Sequence, residues 1–274
     1  MKSIFLQDAN TLVIKPDDLV EILSYLRKTF PQVERVTAYS RSHSIARISD
    51  QDMSRIAAAG LNRIHIGMES AADQVLAFIK KGVDKETQIV AGQRVKQAGI
   101  ELSEYFMPGL GGAEFSRENA LESADAINQI NPDFIRIRTL AIPSNVELFK
   151  DCQSGEFSPI GDLQMAQELL IFLESLHGID STVKSDHILN LLQEVEGDLP
   201  QQQEHLVAPL RAFLAMEAKE QLLYMVGRRA GIFSRLDDLR DAGLRGHAER
   251  AASAHQVTTD NVEQWAAQMM QRFI

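Results

Sequence analysis

Six short stretches hold the side chains best suited to chemistry. They are Asp8-Ala9-Asn10-Thr11, Ser40-Arg41-Ser42-His43, Gly67-Met68-Glu69-Ser70, Pro108-Gly109-Leu110-Gly111-Gly112, Arg136 with Arg138, and Asp186-His187. Together they suit a polar, extended ligand. Carboxylates accept hydrogen bonds from an ammonium group or from ribose hydroxyls, glycines offer backbone N–H groups, and arginine grips a carboxylate. Each stretch also has a plain structural reading. Gly109–Gly112 reads equally as a tight strand-to-helix connection. Glu69 before a helix favours the helix dipole. Arg136 and Arg138 alternate on one strand and point to one side, where they either pair with Glu69 or Asp8 or meet a substrate. Asp186-His187 reads as a cap with a hydrogen-bonded core histidine. The functional reading rests on their joint placement at one rim.

That placement follows from the elements between them. Apolar, largely β-branched runs at Ser3–Gln7, Arg35–Tyr39, Arg63–Met68, Glu101–Met107 and Asp133–Ile142 read as strands. Between them, Asp17–Thr29, Asp50–Ala59, Glu86–Ala98 and Ser116–Ile130 repeat apolar residues at three-to-four spacing, the helical signature. Gly60 and Gly99 fall where helices stop, and Asp50, Asp84 and Ser116 where they start. Five consecutive βα units predict an α/β fold with a parallel sheet, and parallel folds place ligands at the carboxyl ends of the strands, where the polar stretches lie. No Gly-x-Gly-x-x-Gly follows the first strand, which disfavours a dinucleotide site. The second half changes character. Gly161–His177 predicts a long helix and Ser181–Ser185 a sixth strand. Gln201–Arg229 is helical with a break near Pro209, and Thr258–Ile274 is a closing helix capped by Thr258 or Thr259. The division is residues 1–150 for the β/α part and 151–274 for a further β-segment and helical cap.

Composition removes other classes. The 274 residues carry 28 Lys+Arg against 38 Asp+Glu, a formal charge of −10, which argues against nucleic-acid binding by general phosphate attraction. No apolar run reaches the ~18 residues of a membrane span, and the start is too short in apolar residues for a signal peptide. A cytoplasmic protein with no membrane partner is expected. The lone cysteine, Cys152, sits in a polar stretch that reads as a loop, with no histidine near it to activate it. One thiol builds no disulfide and no zinc or iron–sulfur site.

The series Asp8-Ala9-Asn10, Tyr39-Ser40-Arg41, Ala59-Gly60-Leu61-Asn62-Arg63-Ile64-His65-Ile66-Gly67-Met68-Glu69-Ser70, Lys80-Lys81-Gly82-Val83, Lys96-Gln97-Ala98-Gly99-Ile100 and Gly109-Leu110-Gly111-Gly112 resembles the core of the radical S-adenosylmethionine (SAM) enzymes. It is most similar to the branch with oxygen-independent coproporphyrinogen oxidase, Elongator-type and methylthiotransferase-type domains. The resemblance covers about residues 1–150. Ser185-Asp186-His187-Ile188-Leu189-Asn190-Leu191-Leu192 resembles a motif of bacterial members with the same helical tail.

The resemblance implies a partial, open parallel β/α barrel with a C-terminal helical region, and SAM lying across the strand ends. It places the methionine amino group near Asp8 and Asn10, and Ser40 and Arg41 are further cofactor-binding candidates. Gly67, Glu69 and Ser70 fall by the methionine and ribose. Gly109, Gly111 and Gly112 lie near the adenine, with Arg138 as a further cofactor contact. Arg136, Asp186 and His187 fall on the possible substrate side. The family's Pro-Gly-Thr reads Pro143-Ser144-Asn145 here. Its first strand and Cys-x-x-x-Cys-x-x-Cys loop, whose thiolates hold a [4Fe–4S] cluster, have no counterpart. The expectation is therefore a SAM-binding core without cluster ligands, the cluster belonging to a longer parent, with self-association through the exposed first strand. The alternative is a non-catalytic ligand-binding or interaction module on the same fold. A third reading is an ordinary barrel enzyme using Gly109–Gly112 for a phosphate and Asp186 with His187 for acid–base work.

Overall fold

The computed structural model describes residues 1–273. Strands β1 (Ser3–Leu6), β2 (Arg35–Ser40), β3 (Arg63–Glu69), β4 (Glu101–Phe106), β5 (Phe134–Ile137), β6 (Thr182–Lys184) and β7 (Gly197–Asp198) form a sheet in the order β1-β2-β3-β4-β5-β6-β7. The pairs β1–β2, β2–β3 and β3–β4 are parallel. With β1 and β7 at its two ends the sheet is not closed, so the architecture is the expected open α/β one.

The first half carries α1 (Pro16–Thr29), α2 (Ser42–Ile45), α3 (Asp50–Ala59), α4 (Asp73–Phe78), α5 (Lys85–Gln97) and α6 (Ser116–Ile130). The second half carries α7 (Glu147–Ser154), α8 (Asp162–Glu174), α9 (Gln203–Leu214), α10 (Ala218–Arg229), α11 (Ala242–Ala254) and α12 (Val262–Met270). Among the described residues no helix is long and apolar enough to cross a membrane.

The chain forms two compact units. The first comprises residues 1–106, 122–136 and 176–182. Its strand β3 alternates half-buried and buried residues, with Ile64, Ile66 and Met68 facing the core and His65 and Gly67 the other face. Leu19 and Leu23 of α1 are buried, as are Met53 and Ile56 of α3, and the two helices pack together. The helix α3 starts at Ser49, whose hydroxyl accepts the Asp52 N–H; Asp50 is its first residue rather than its cap. Asp84 caps α5 as expected.

The second unit comprises residues 107–121, 137–175 and 183–274. Its core centres on Phe213, Tyr224 and Phe233, with ring centroids 5.6 and 6.1 Å apart. Several sequence expectations shift here. The run to Ile142 stops being strand after Ile137, because the Thr139 N–H donates to the Asn190 side chain (3.0 Å) instead of to a neighbouring strand. The break in the helical stretch falls at residues 215–217, not at Pro209. Buried Leu206, Val207, Leu210 and Phe213 carry α9 through the proline, and the Gln221 amide caps the Phe213 carbonyl (3.1 Å). The closing helix begins at Val262, since the Asn261 side chain accepts the Thr258 N–H (2.8 Å) and holds Thr258 and Thr259 in a turn before it. Ile274 lies outside the described residues. Cys152 lies in α7 rather than in a loop.

Candidate functional site

A cavity of about 760 Å³ opens at the carboxyl ends of β2, β3 and β4 in the first unit. Ser40 and Arg41 close β2 on one side of it, Gly67 and Glu69 close β3, and the Ile79–Val83 turn after α4 forms the far wall. Asn10 holds the β2 exit in place. Its Oδ1 accepts the Ser40 hydroxyl (3.1 Å) and the Arg41 N–H (3.0 Å), and its Nδ2 donates to the Ser44 hydroxyl (2.9 Å). One N–H and two hydroxyls at the turn are thus given partners by one side chain.

Glu69 reaches the cavity through an irregularity. Between the registers Ile66–Glu104 and Glu69–Phe106, β3 carries one residue more than β4. Such a bulge re-aims the following side chain. Glu69 has φ +66°, a left-handed conformation unusual for a non-glycine residue and concentrated at functional sites. Its Oε2 accepts from Lys81 Nζ at 2.7 Å. Gly67 allows the close approach: a Cβ there would stand 3.0 Å from Glu69 Oε1.

Aromatic side chains on the same face of the strands line the floor. The Tyr39 and Tyr105 hydroxyls are 3.1 Å apart, and the Tyr39 ring lies 5.2 Å from both Phe5 and His65. Arg41, Lys80 and Lys81 line the same cavity as Glu69, and of the three it is Lys81 that meets its carboxylate. The arrangement suits a ligand with one anionic and one cationic end and a planar part.

No family model matches this chain. In the curated set it is 25% identical over 129 residues to a tRNA uridine(34) acetyltransferase of Methanocaldococcus infernus, covering 47% of this chain and 24% of that protein. The corresponding protein of Methanocaldococcus jannaschii is 23% identical over 128 residues. The chain thus matches about a quarter of the length of these curated relatives. Among solved structures, the archaeal Methanocaldococcus infernus Elp3 with an N-terminal deletion superposes with a TM-score of 0.53 at 16% identity, over 68% of this chain and 48% of that one. Coproporphyrinogen III oxidase from Escherichia coli, described as a radical SAM enzyme, gives 0.51 at 14% identity, over 64% and 41%.

The fold is the radical SAM fold.

Within this radical SAM fold the predicted residues fall into distinct settings. Ser40, Arg41, Gly67 and Glu69 come together around the cavity. Asn10 braces it from behind. Asp8 is exposed, and its neighbour Ala9 is the lining residue. Ser70 is fully buried and structural in its contacts: its hydroxyl accepts the Ala72 N–H (3.1 Å) and its carbonyl the Gln88 amide (3.1 Å). Glu69 pairs with Lys81 rather than with either arginine. Arg136 lies near the Phe134 ring, 6.0 Å from its centroid.

In the second unit, the glycine turn is fixed from below by Glu168, a buried carboxylate of α8. It accepts the Gly109 N–H (3.1 Å), the Asn119 amide (2.6 Å) and the Ser116 hydroxyl (2.5 Å). Burial outweighs these bonds and pushes its pKa up from 4.5 to about 7. Gly111 is required by space, since a Cβ would meet the Phe115 carbonyl oxygen at 2.5 Å. Gly112 has φ +58° and the Phe157 ring 2.9 Å from where its Cβ would be. Arg138 pairs with Asp186 at 2.9 Å, and burial followed by the Arg138 charge lowers the pKa of His187. Asn190 ties this segment down: its Nδ2 donates to the Ile137 carbonyl and the Ser185 hydroxyl, each at 3.0 Å.

The iron–sulfur cluster of radical SAM enzymes does not fit the groups present. Cys152 is the single cysteine, and among the described residues no three His, Cys, Asp or Glu side chains are grouped to hold a metal. Sequence reasoning gave no site role to Tyr39, Tyr105 or Lys81, although Tyr39 and Lys81 fall in the stretches that carry the resemblance. The two tyrosines sit at the inward parity of β2 and β4, a signal available from strand alternation. Lys81 needed the bulge, which sequence does not reveal.

Proposed function

We propose that the first unit is a ligand-binding core of radical SAM type that takes S-adenosylmethionine in the cavity at the ends of β2, β3 and β4. The observation that carries the reading is the gathering of Ser40, Arg41, Gly67 and Glu69 around that cavity. In it, Glu69 accepts hydrogen bonds from the ligand's ammonium or ribose hydroxyls, steadied by Lys81. Arg41 meets the carboxylate, and Tyr39 and Tyr105 supply an aromatic wall. When bound, a [4Fe–4S] cluster supplies the electron that cleaves SAM in radical SAM enzymes. Thiolates beyond Cys152 would have to hold it, so no step through it is assigned to this chain.

Titration calorimetry of the chain with S-adenosylmethionine tests the reading. Glu69→Gln should weaken binding about tenfold, equivalent to about 1.4 kcal/mol. Stability should change by less than about 1 kcal/mol, because the pair with Lys81 is partly exposed. A Glu69→Gln variant with unchanged affinity, or a wild-type chain that does not bind, overturns it. A second reading, a non-catalytic binding module, is favoured by the single cysteine. Anaerobic reconstitution that yields one cluster per chain would refute that one.

A further inference from the structure

We propose that β1 is a self-complementary edge through which two copies of this chain pair, antiparallel and with Phe5 on the two-fold axis. β1 stands at one end of the sheet, and among the described residues no strand pairs with its other edge. It runs parallel to β2, with Ser3 opposite Arg35 and Phe5 opposite Thr37. The Lys2 carbonyl accepts the Glu34 N–H at 2.9 Å and the Arg35 N–H at 3.3 Å, so residue 2 turns its carbonyl toward β2. Backbone groups alternate in direction along a strand. Ile4 and Leu6 therefore face β2 as well, while Ser3 and Phe5 turn N–H and carbonyl to the open edge. Such a row is a template for another strand, and natural edges are guarded by charges, prolines or bulges. Ser3-Ile4-Phe5-Leu6-Gln7 has no charge and no proline, pairs with β2 residue for residue, and leaves Phe5 43% exposed.

The flanking residues say what covers this edge. A second copy related by a two-fold axis presents the same edge, so the two strands must run antiparallel. Lys2-Ser3-Ile4-Phe5-Leu6-Gln7-Asp8 is matched about its centre: opposite charges at the ends, then two polar residues, then two aliphatic ones, around one aromatic. With Phe5 opposite Phe5, Ile4 meets Leu6, Ser3 meets Gln7, and Lys2 meets Asp8 at both ends. Moving the centre to Ile4 sets Lys2 against Leu6, and moving it to Leu6 sets Asp8 against Ile4. Charge complementarity thus favours one register. Both charged residues are exposed, and Lys2 is held only by a 3.6 Å contact with Glu34, itself 72% exposed in its side chain. The join also touches the cavity. The Phe5 ring stands edge-on to Tyr39 at 5.2 Å, so a second Phe5 beside it extends the aromatic floor.

Sedimentation velocity of the full chain over a range of concentrations tests the pairing, with no ligand needed. A reversible dimer is expected. The Lys2–Asp8 pair occurs twice by symmetry, so Lys2→Asp or Asp8→Lys alone should weaken the dimer about tenfold. Combining the two restores opposite charges and should return the affinity to within about threefold of wild type. The register has its own readout. In a Cys152→Ser background, Phe5→Cys should oxidise to a disulfide-linked dimer, because hydrogen-bonded antiparallel partners stand about 5.5 Å apart at Cα. Ile4→Cys should not, because in this register the two copies of residue 4 lie beyond the reach of a disulfide. A chain that stays monomeric at its highest soluble concentration overturns the proposal. So does a dimer that both single charge reversals leave intact, or one that Ile4→Cys links and Phe5→Cys does not.

Discussion

Replacing Glu168 by glutamine should remove a stability change that the wild-type protein undergoes between pH 4.5 and about 7. The carboxyl is buried under the glycine turn, and burial raises its pKa to about 7 against the lowering effect of Ser116, Asn119 and the Gly109 N–H. The folded protein therefore holds this proton more tightly than the unfolded chain. The stabilisation is fully present below the unfolded pKa and is lost as pH rises through about 7. At 1.36 kcal/mol per pKa unit, the whole change is about 3 kcal/mol. That is roughly 6–12 °C in Tm, taking about 2–4 °C per kcal/mol for a domain of some 150–250 residues. Glutamine keeps the volume and keeps Oε1 as acceptor for Gly109 and Asn119, while its amide can donate to the Ser116 hydroxyl. Urea titrations of both proteins over this pH range give the difference directly. Glu104, Glu194 and Glu263 also have raised pKa values and tilt both curves alike, so only the difference is diagnostic. Wild-type and Glu168→Gln curves that run parallel would refute the reasoning.

Two further outcomes follow from buried polar links in the second unit. Arg229 and Asp162 form a fully buried pair, 3% and 1% exposed, so Arg229→Met should cost about 3–5 kcal/mol by leaving a buried carboxylate alone, and adding Asp162→Leu should recover most of it, measured by urea titration. Asn190→Ala deprives the Thr139 N–H and the Ile137 carbonyl of partners, and at about 1–3 kcal/mol for each buried group should lower Tm markedly with little change in helix content.

Legibility in the sequence tracked the range of the forces involved. The β/α alternation was readable because burial imposes a period on each element: β3 alternates along Arg63–Glu69, and α3 ends at Gly60, which takes φ +117°. Elements held by distant side chains were not readable. Nothing near Ile137 announces that the strand stops there; the cause is Asn190, which lies 51 residues beyond Thr139 and takes its N–H. Likewise Pro209 signals a break on local grounds, yet four buried apolar side chains keep α9 intact.

The site follows the same division. Gly67 and Glu69 were legible as polar residues at a strand end, and Ser40 and Arg41 for the same reason. The partner of Glu69 was not legible. Parity along an unbroken strand allows an arginine of another strand to reach Glu69. The one-residue bulge instead sends its carboxylate to Lys81, twelve residues on. A bulge is set by the pairing of two strands, one residue longer on β3 than on β4 between Ile66 and Glu69, so neither strand's own sequence reveals which way Glu69 turns.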